Sequence, residues 1–131
     1  MVKFFMKNFD GWNKEKKNVH ENGAQKLFVE REIWWSAFGV NIGREQDGRG
    51  DNFERPVVIL KKLSPDTFIC LPLSTKKKLP TFQSAVTHEE IHGFALLDQI
   101  RVLDSKRLLR KIGMMSIEEF AVLKEKMKKL L

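Results

Sequence analysis

Hydrophobic and polar positions in the middle of the chain form short runs that are typical of β-strands. Residues 32–38 are rich in β-forming side chains and are followed by glycine, so we predict a strand there. Residues 57–62, which follow Pro56, and residues 67–73 are predicted as two further strands, with the turn sequence Ser64-Pro65-Asp66 between them. The pattern therefore predicts a β-hairpin after the first strand.

The pattern changes in the last third of the chain. Residues 82–92 are predicted as weak strand or loop, and residues 93–102 as a strand. Asp104 or Ser105 can then cap a short helix that ends just before Gly113, because glycine is favoured immediately after a last helical turn.

A second helix is predicted at the C-terminus, where Ser116 and Glu119 form a capping box. Its apolar face is formed by Ile117, Phe120, Leu123, Met127 and Leu130. Strands followed by helices indicate the α+β class. We predict a curved antiparallel β-sheet that forms a small SH3-like barrel closed by the C-terminal helix.

Residues 1–30 differ from the rest because they show no long apolar period. The charged run at residues 14–17 favours a helix, and Asn22-Gly23 is a turn signal. We predict a polar, partly helical N-terminal extension over residues 1–30 and one domain over residues 31–131.

Two features of the predicted strands concern the core. Trp34 and Trp35 are adjacent, so on a strand one faces the core and the other can line a partner surface. Cys70 is the only cysteine and lies in an apolar run. We expect a buried, reduced thiol that acts as a small hydrophobic side chain.

The charge balance favours a polyanionic partner. The 131 residues carry 24 Lys and Arg against 17 Asp and Glu, a net charge of +7. Such a charge favours encounter with nucleic acid, although it also keeps proteins soluble. No apolar run approaches the roughly 20 residues of a membrane span, and the first eight residues lack the features of a secretory signal. A cytoplasmic protein without a membrane partner is predicted.

No cofactor or metal site is predicted. The glycines of residues 39–50 match neither a dinucleotide fingerprint nor a phosphate loop. His88 and His92 have the spacing of a zinc-protease motif, but the residues around them do not form a helical pattern. Zinc is therefore disfavoured.

Short motifs over residues 30–131 resemble, in content and order, the MazF/PemK family of toxins. The motifs are Ile33-Trp34-Trp35, Gly43-Arg44-Glu45-Gln46, Arg55-Pro56-Val57-Val58-Ile59-Leu60, Leu71-Pro72-Leu73-Ser74-Thr75, Ala95-Leu96-Leu97-Asp98-Gln99-Ile100-Arg101, Asp104 with Lys106-Arg107, and Ile112-Gly113. Each motif is weak alone, and their shared order makes the resemblance specific. It implies the toxin of a type II toxin–antitoxin system: a metal-independent endoribonuclease that cuts single-stranded RNA as a homodimer.

Arg55 is the first candidate catalytic residue. When a 2′-hydroxyl attacks the adjacent phosphate, negative charge builds on the phosphorane oxygens, and a fixed guanidinium can stabilise it with two hydrogen bonds. Arg55 precedes Pro56 at a junction of loop and strand, which anchors its backbone. By residue type alone, an arginine that covers a strand end is the favoured interpretation of Arg55, and the resemblance reverses this in favour of catalysis.

The resemblance implies that Ser74 and Thr75 are catalytic hydroxyls that contact phosphate or position the proton transfer. Glu45 and Asp98 are two further catalytic candidates. Each can orient Arg55 or accept a proton. The alternatives remain open: Glu45 as a solvated loop carboxylate, and Asp98 as a backbone cap.

Gln46, Lys76 and Lys77 are predicted to bind RNA, because an amide can contact base edges and ammonium groups neutralise phosphates. A basic groove of this kind is most easily blocked by a polyanion mimic. We therefore expect an acidic antitoxin to dock near Arg55, Lys76 and Lys77.

The loop at residues 47–54 is longer than in typical members of the family and contains Asp47, Asp51 and Glu54. Two roles remain open for it: obstruction of the RNA groove or a grip on RNA. Two other functions also remain open for the chain. One is a non-catalytic RNA- or partner-binding barrel, and the other is a gyrase-poisoning toxin of related fold, against which Arg55 and Ser74 argue.

Overall fold

The computed structural model describes residues 6–131, and the strands within them belong to one antiparallel sheet. Residues 1–5 of the predicted extension lie outside the described residues. In chain order the elements are α1 (Phe9–Asn22), β1 (Glu32–Ala37), β2 (Glu54–Lys62), β3 (Thr67–Ser74), β4 (Gln83–Thr87), β5 (His92–Leu96), β6 (Arg101–Asp104), β7 (Leu108–Met114) and α2 (Ile117–Leu130). The predicted α+β class is confirmed.

Strand β3 is the centre of the sheet because it pairs with three other strands. The strand order is β4-β5-β3-β2-β1-β7, and β6 also pairs with β3. Residues 67–70 of β3 pair with β6, whereas Leu73 and Ser74 pair with β5. A register shift between Ile59 and Lys61 marks a bulge in β2, of the kind that bends a strand. Within residues 6–131 the ladder does not close into a complete barrel, since β4 and β7 end it.

Apolar side chains cover both faces of the sheet, because successive residues of a strand point to opposite sides. One buried cluster contains Ile33, Val58 and, from α2, Leu123. The other contains their strand neighbours Trp34 and Val57. Burial on both faces explains why the strand sequences are nearly continuous apolar runs.

The adjacent tryptophans of β1 differ in burial, as predicted. Trp34 is buried, and its Nε1 donates to Oε1 of Glu32 at 3.2 Å. Trp35 is half-buried, with the guanidinium carbon of Arg110 5.0 Å from its ring centroid. Cys70 is free and buried, and burial raises the pKa of its thiol to about 12. This thiol acts as core filler.

The predicted helix between Asp104 and Gly113 is wrong. The Asp104 carboxylate does cap a turn, accepting the Lys106 N–H at 2.8 Å. That turn is a single 3-10 turn at Ser105–Arg107, and the chain continues as β7. Strand β7 pairs with β1, which would otherwise present an unpaired backbone edge. Pairing within the sheet therefore outweighs the local helix signals.

The predicted strand at residues 93–102 is interrupted. A 3-10 turn at Leu97–Gln99 separates β5 from β6, and this break lets the two strands pair with different parts of β3. The segment predicted as weak strand or loop contains β4, which pairs with β5.

Helix α2 is confirmed, and it covers the sheet beside β4. Ser116 Oγ accepts the Glu119 N–H at 3.1 Å, as a capping residue should. The Glu119 carboxylate does not complete the capping box, and it accepts bonds from the N–H and hydroxyl of Thr87 on β4. In the predicted apolar face, Phe120, Leu123 and Met127 are buried, and Ile117 and Leu130 are exposed. No helix in the described part of the chain is long and apolar enough to cross a membrane.

Glu32 places a carboxylate inside the protein at the start of β1. It accepts hydrogen bonds from Val29 N–H at 2.8 Å, Lys111 Nζ at 3.0 Å and Trp34 Nε1 at 3.2 Å. Burial alone would raise the pKa of Glu32, but these bonds outweigh burial and hold its pKa below the ordinary value. The charged form is therefore the one that the fold stabilises.

We expect Glu32→Gln to lower the free energy of unfolding by about 1–3 kcal/mol, because the amide oxygen can keep the bonds from Val29 and Trp34 but its NH2 group cannot accept from Lys111. The pKa of Glu32 is lower in the folded protein than in the unfolded chain. Its contribution is thus complete above the unfolded value and is lost as pH falls through the folded value. Urea unfolding of both proteins from neutral to acidic pH measures this. A difference that stays constant with pH would contradict the assignment.

Candidate active site

A cleft of about 590 Å³ lies where three strand ends meet. Arg55 lies near the start of β2, Ser74 ends β3, and His92 begins β5. These ends are neighbours because β3 is antiparallel to both β2 and β5. The cleft is lined by Trp35, Gln46, Arg49, Gly50, Glu54, Arg55, Pro56, Leu73, Ser74, Thr75, Lys76, Lys78, Glu90, Ile91 and His92.

Two backbone carbonyls hold the guanidinium of Arg55. Nε donates to the carbonyl of Asp47 at 2.5 Å, and Nη1 donates to the carbonyl of Leu73 at 2.9 Å. Burial, and then the charge of Arg49, lower the pKa of Arg55, while Asp47 opposes the shift. The group still keeps its charge at neutral pH, because arginine does not deprotonate in proteins. None of the hydrogen bonds within residues 6–131 uses Nη2, so this nitrogen can donate to a bound anion.

Two hydroxyl side chains lie in the same cleft as Arg55. Ser74 Oγ accepts the Lys76 N–H at 3.2 Å, which begins the turn after β3. Thr75 is exposed and lines the cleft. Gly93 of β5 packs directly against this turn, since a Cβ at that position would lie 2.4 Å from the Ser74 carbonyl oxygen. Glycine at position 93 therefore permits the close approach that sets the position of Ser74.

A buried glutamine braces the basic turn at residues 76–78. Gln83 is only 4% exposed, and its amide accepts the Lys78 N–H and donates to the Lys76 carbonyl, both at 2.9 Å. Lys76 and Lys78 line the cleft, and Lys77 does not. Lys77 and Lys78 could not be distinguished from the sequence, because which lysine lines the cleft depends on the conformation of this turn.

Gln46 lines the cleft, but its sequence neighbour Glu45 does not. The backbone N–H of Gln46 donates to Oε1 of Gln99 at 3.0 Å. The Glu45 carboxylate is exposed and accepts the Ile42 N–H at 2.9 Å within its own loop. Asp98 is exposed on the 3-10 turn after β5 and also lies outside the cleft lining. The structure therefore brings Arg55, Ser74, Thr75, Gln46 and Lys76 together, and leaves Glu45, Asp98 and Lys77 out.

The loop at residues 47–54 is a tight turn rather than an open flap. Arg49 and Glu54 exchange backbone hydrogen bonds, both 2.9 Å long. The Asp47 carboxylate pairs with Lys7 at 3.1 Å, and Asp51 lines a different depression. Glu54 lines the cleft but is paired with Arg110 at 3.0 Å. The three acidic side chains are thus paired or directed elsewhere.

Four charged or titratable side chains of the cleft were not predicted from the sequence as catalytic or RNA-binding residues. Arg49, Lys78, Glu90 and His92 come from loops or strand ends outside the motifs that carry the resemblance. Only the pairing of β3 with β5 brings His92 close to the end of β3, and no local pattern encodes that pairing.

The two histidines that resemble a zinc motif are separated by a turn: His88 follows β4, and His92 is the first residue of β5. Nδ1 of His88 accepts the Glu90 N–H at 3.2 Å, and its ring packs over Gly113. In residues 6–131, no three His, Cys, Asp or Glu side chains are grouped as a metal site requires.

Comparison with known families gives a match over most of the chain. The sequence model of the PemK-like, MazF-like toxins of type II toxin–antitoxin systems matches residues 30–131. The chain belongs to this family. The resemblance found in the sequence is therefore confirmed, and every residue of the cleft lies within the matched region of the toxin.

Solved structures of the family share the fold of this toxin. MazF from Deinococcus radiodurans has a TM-score of 0.65 at 22% identity, over 81% of this chain and 97% of that one. MazF in the MazE–MazF complex of the same organism gives 0.60 at 19%, over 81% and 96%. A mycobacterial endoribonuclease in complex with its cognate antitoxin gives 0.60 at 11%, over 79% and 93%. No curated protein matches the sequence.

Proposed function

We propose that this toxin is a metal-independent endoribonuclease that cuts single-stranded RNA. A ribose 2′-oxygen attacks the adjacent phosphorus, the bond from phosphorus to the 5′-oxygen breaks, and a cyclic phosphate and a free 5′-hydroxyl remain. The observation that carries the proposal is the guanidinium of Arg55, which two carbonyls fix in a cleft that also holds the hydroxyls of Ser74 and Thr75.

Arg55 is suited to stabilise the phosphorane. Its guanidinium is oriented before RNA binds, so little reorganisation is needed as charge builds on the phosphate oxygens. Nη2, and the second hydrogen of Nη1, remain to donate to two of these oxygens. Ser74 and Thr75 supply further donors to the same phosphate.

Proton transfer requires a group that takes the 2′-hydroxyl proton and a group that protonates the leaving 5′-oxygen. Glu45 and Asp98 were the candidates from sequence, and neither lines the cleft. His92 does line it, and imidazole is the side chain most often used as a general acid or base. We therefore propose that His92, rather than either carboxylate, takes the proton of the 2′-hydroxyl and then passes it to the leaving 5′-oxygen.

RNA binding follows from the charge and amide groups around Arg55. Lys76, Lys78 and Arg49 are positioned to neutralise phosphates, and Gln46 can contact a base edge. Lys77 contributes less because it lies outside the cleft lining.

The protein partners proposed for this toxin rest on the same cleft and on the complexes of its relatives. MazF of Deinococcus radiodurans forms a complex with MazE, and the mycobacterial endoribonuclease binds its cognate antitoxin. We propose that this toxin is a cytoplasmic homodimer and that an acidic antitoxin covers the cleft near Arg55, Lys76 and Lys77. An extended acidic segment that folds on binding suits this surface.

We expect Arg55→Ala to reduce RNA cleavage by roughly 100-fold or more, as the loss of an oxyanion-stabilising donor does. Arg55→Lys should recover only part of the rate, because a shorter, point-like ammonium lacks the planar fork that reaches both carbonyls and still presents two donors to phosphate. Cleavage of a mixed-sequence RNA in excess EDTA, with circular dichroism to check folding, measures this. Arg55→Ala activity within about tenfold of wild type would remove Arg55 from catalysis. Wild-type protein that binds RNA without cutting it would identify a non-catalytic barrel.

Lys78 and Lys77 form a matched pair for testing the RNA surface. We expect Lys78→Ala to weaken binding of a 2′-O-methyl RNA, which cannot be cleaved, and to reduce the slope of log K against log salt by about 0.7. Lys77→Ala should change neither quantity appreciably. Fluorescence anisotropy at several salt concentrations gives both. Equal effects of the two substitutions would mean that RNA does not follow this cleft.

The homodimer is tested by light scattering of the purified toxin. We expect twice the mass of the 15.3 kDa chain at micromolar concentration. A monomer under these conditions would exclude an RNA groove shared by two subunits.

Adding the antitoxin should abolish RNA cleavage. The affinity of the toxin for the antitoxin should fall as salt rises, because charges at the rim of an interface are screened.

A further inference from the structure

The connection from β1 to β2 supplies Gln46, Arg49 and Gly50 to the cleft but has little regular structure. Residues 38–53 contain four glycines, and Gly39, Gly43 and Gly50 have positive φ. A glycine-rich connection loses much conformational freedom when it is fixed. Yet this segment provides Gln46 and Arg49, as well as the Asp47 carbonyl that holds Arg55. Contacts from elsewhere in the chain must hold it in place.

The N-terminal helix α1 packs on this connection through Trp12, which is 8% exposed. The indole lies against Gly39, where a Cβ would come within 2.4 Å of the ring. It also packs against Phe53, with ring centroids 5.7 Å apart, and lies 5.6 Å from the Arg107 guanidinium carbon. Trp12 thus contacts both ends of the connection.

Lys7, just before α1, binds the middle of the connection. Its Nζ donates to the carbonyls of Asn41 at 2.6 Å and Gly43 at 2.9 Å, and it pairs with Oδ2 of Asp47 at 3.1 Å. These three contacts use the three donors of one ammonium group. The side chain is 27% exposed, so these bonds are partly shielded from water.

Asp47 connects this cluster to the cleft. Its Oδ2 pairs with Lys7, its Oδ1 accepts the Asn41 N–H at 2.6 Å, and its carbonyl accepts Nε of Arg55. Both carboxylate oxygens are therefore engaged away from Arg55, which keeps its positive charge for an anion. A carboxylate of Asp47 that lost these partners could turn toward Arg55 and offset the charge of the guanidinium.

We propose that Lys7 is a positioning residue of the cleft, which fixes the Arg55 guanidinium through Asp47. The N-terminal segment is then a working part of the toxin, although it precedes the residues 30–131 that match the family. This inference rests on the proposed function where it concerns cleavage. The link from Lys7 through Asp47 to Arg55 can itself be tested without RNA.

The competing role for Lys7 is a direct contact with an RNA phosphate. The two roles differ in their consequences. Loss of a phosphate contact weakens RNA binding and lowers the salt slope, whereas loss of a positioning contact slows the reaction of bound RNA. Lys16 provides a control on the same segment, because it is exposed and its side chain makes no hydrogen bond or ion pair within residues 6–131.

The experiment compares Lys7→Met, Lys7→Arg and Lys16→Met in the full chain. We expect Lys7→Met to lower kcat by about tenfold, since small misplacements of a catalytic group are costly, while KM and the salt slope of binding stay near wild type. Lys7→Arg should restore most of kcat because it keeps the charge and several donors. Lys16→Met should match wild type. In ¹⁵N spectra without RNA, the Arg55 Nε–H should exchange with water faster in Lys7→Met than in the other two variants.

Several results would overturn the proposal. An unchanged kcat with unchanged Arg55 Nε–H exchange would mean that Lys7 positions nothing. A raised KM together with a smaller salt slope would make Lys7 an RNA contact. If the wild-type protein cuts no RNA, the proposed function fails, and the exchange of Arg55 Nε–H still decides whether the positioning link exists.

Discussion

The change of partner along β3 is the constraint on which the rest of the structure depends. The first half of β3 pairs with β6 and its end pairs with β5, so one edge of a single strand serves two others. The 3-10 turn at Leu97–Gln99 makes this possible by interrupting what would otherwise be one strand. As a result β5 begins beside the end of β3, and His92 and Ser74 line one cleft.

The sequence predicted correctly those elements whose signals lie within a few neighbouring residues. The hairpin of β2 and β3, the cap at Ser116 and the buried Cys70 follow from alternation, turn residues and capping chemistry. The helix predicted after Asp104 was wrong because β7 is determined by the open edge of β1, which is more than 70 residues away in sequence. Closure of the barrel also could not be read from local pattern, since it depends on whether the end strands meet.

The residues of the candidate site also fall into those that local motifs predicted and those that depend on distant contacts. Arg55, Ser74 and Thr75 were found because they lie in motifs at strand ends, where the order of motifs is informative. Glu45 was named from the same motif as Gln46, yet its side chain is bonded within its own loop. Lys78 and His92 were missed because their orientation depends on Gln83 and on the pairing of β3 with β5. The sequence shows which residue type stands at a position, whereas the direction of its side chain depends on contacts with distant parts of the chain.

Three arginines, of which Arg55 lines the cleft, are anchored on backbone carbonyls in a way that preserves their charge. Arg55 donates to the carbonyls of Asp47 and Leu73, and Arg101 and Arg107 both donate to the carbonyl of Phe38. None of the ion pairs within residues 6–131 involves these three side chains. A carbonyl dipole orients a guanidinium without neutralising it, whereas a carboxylate partner would compete with phosphate for the same donors. Fixing arginines on backbone oxygens therefore combines rigidity with a positive field, which is what a cleft for a polyanion requires.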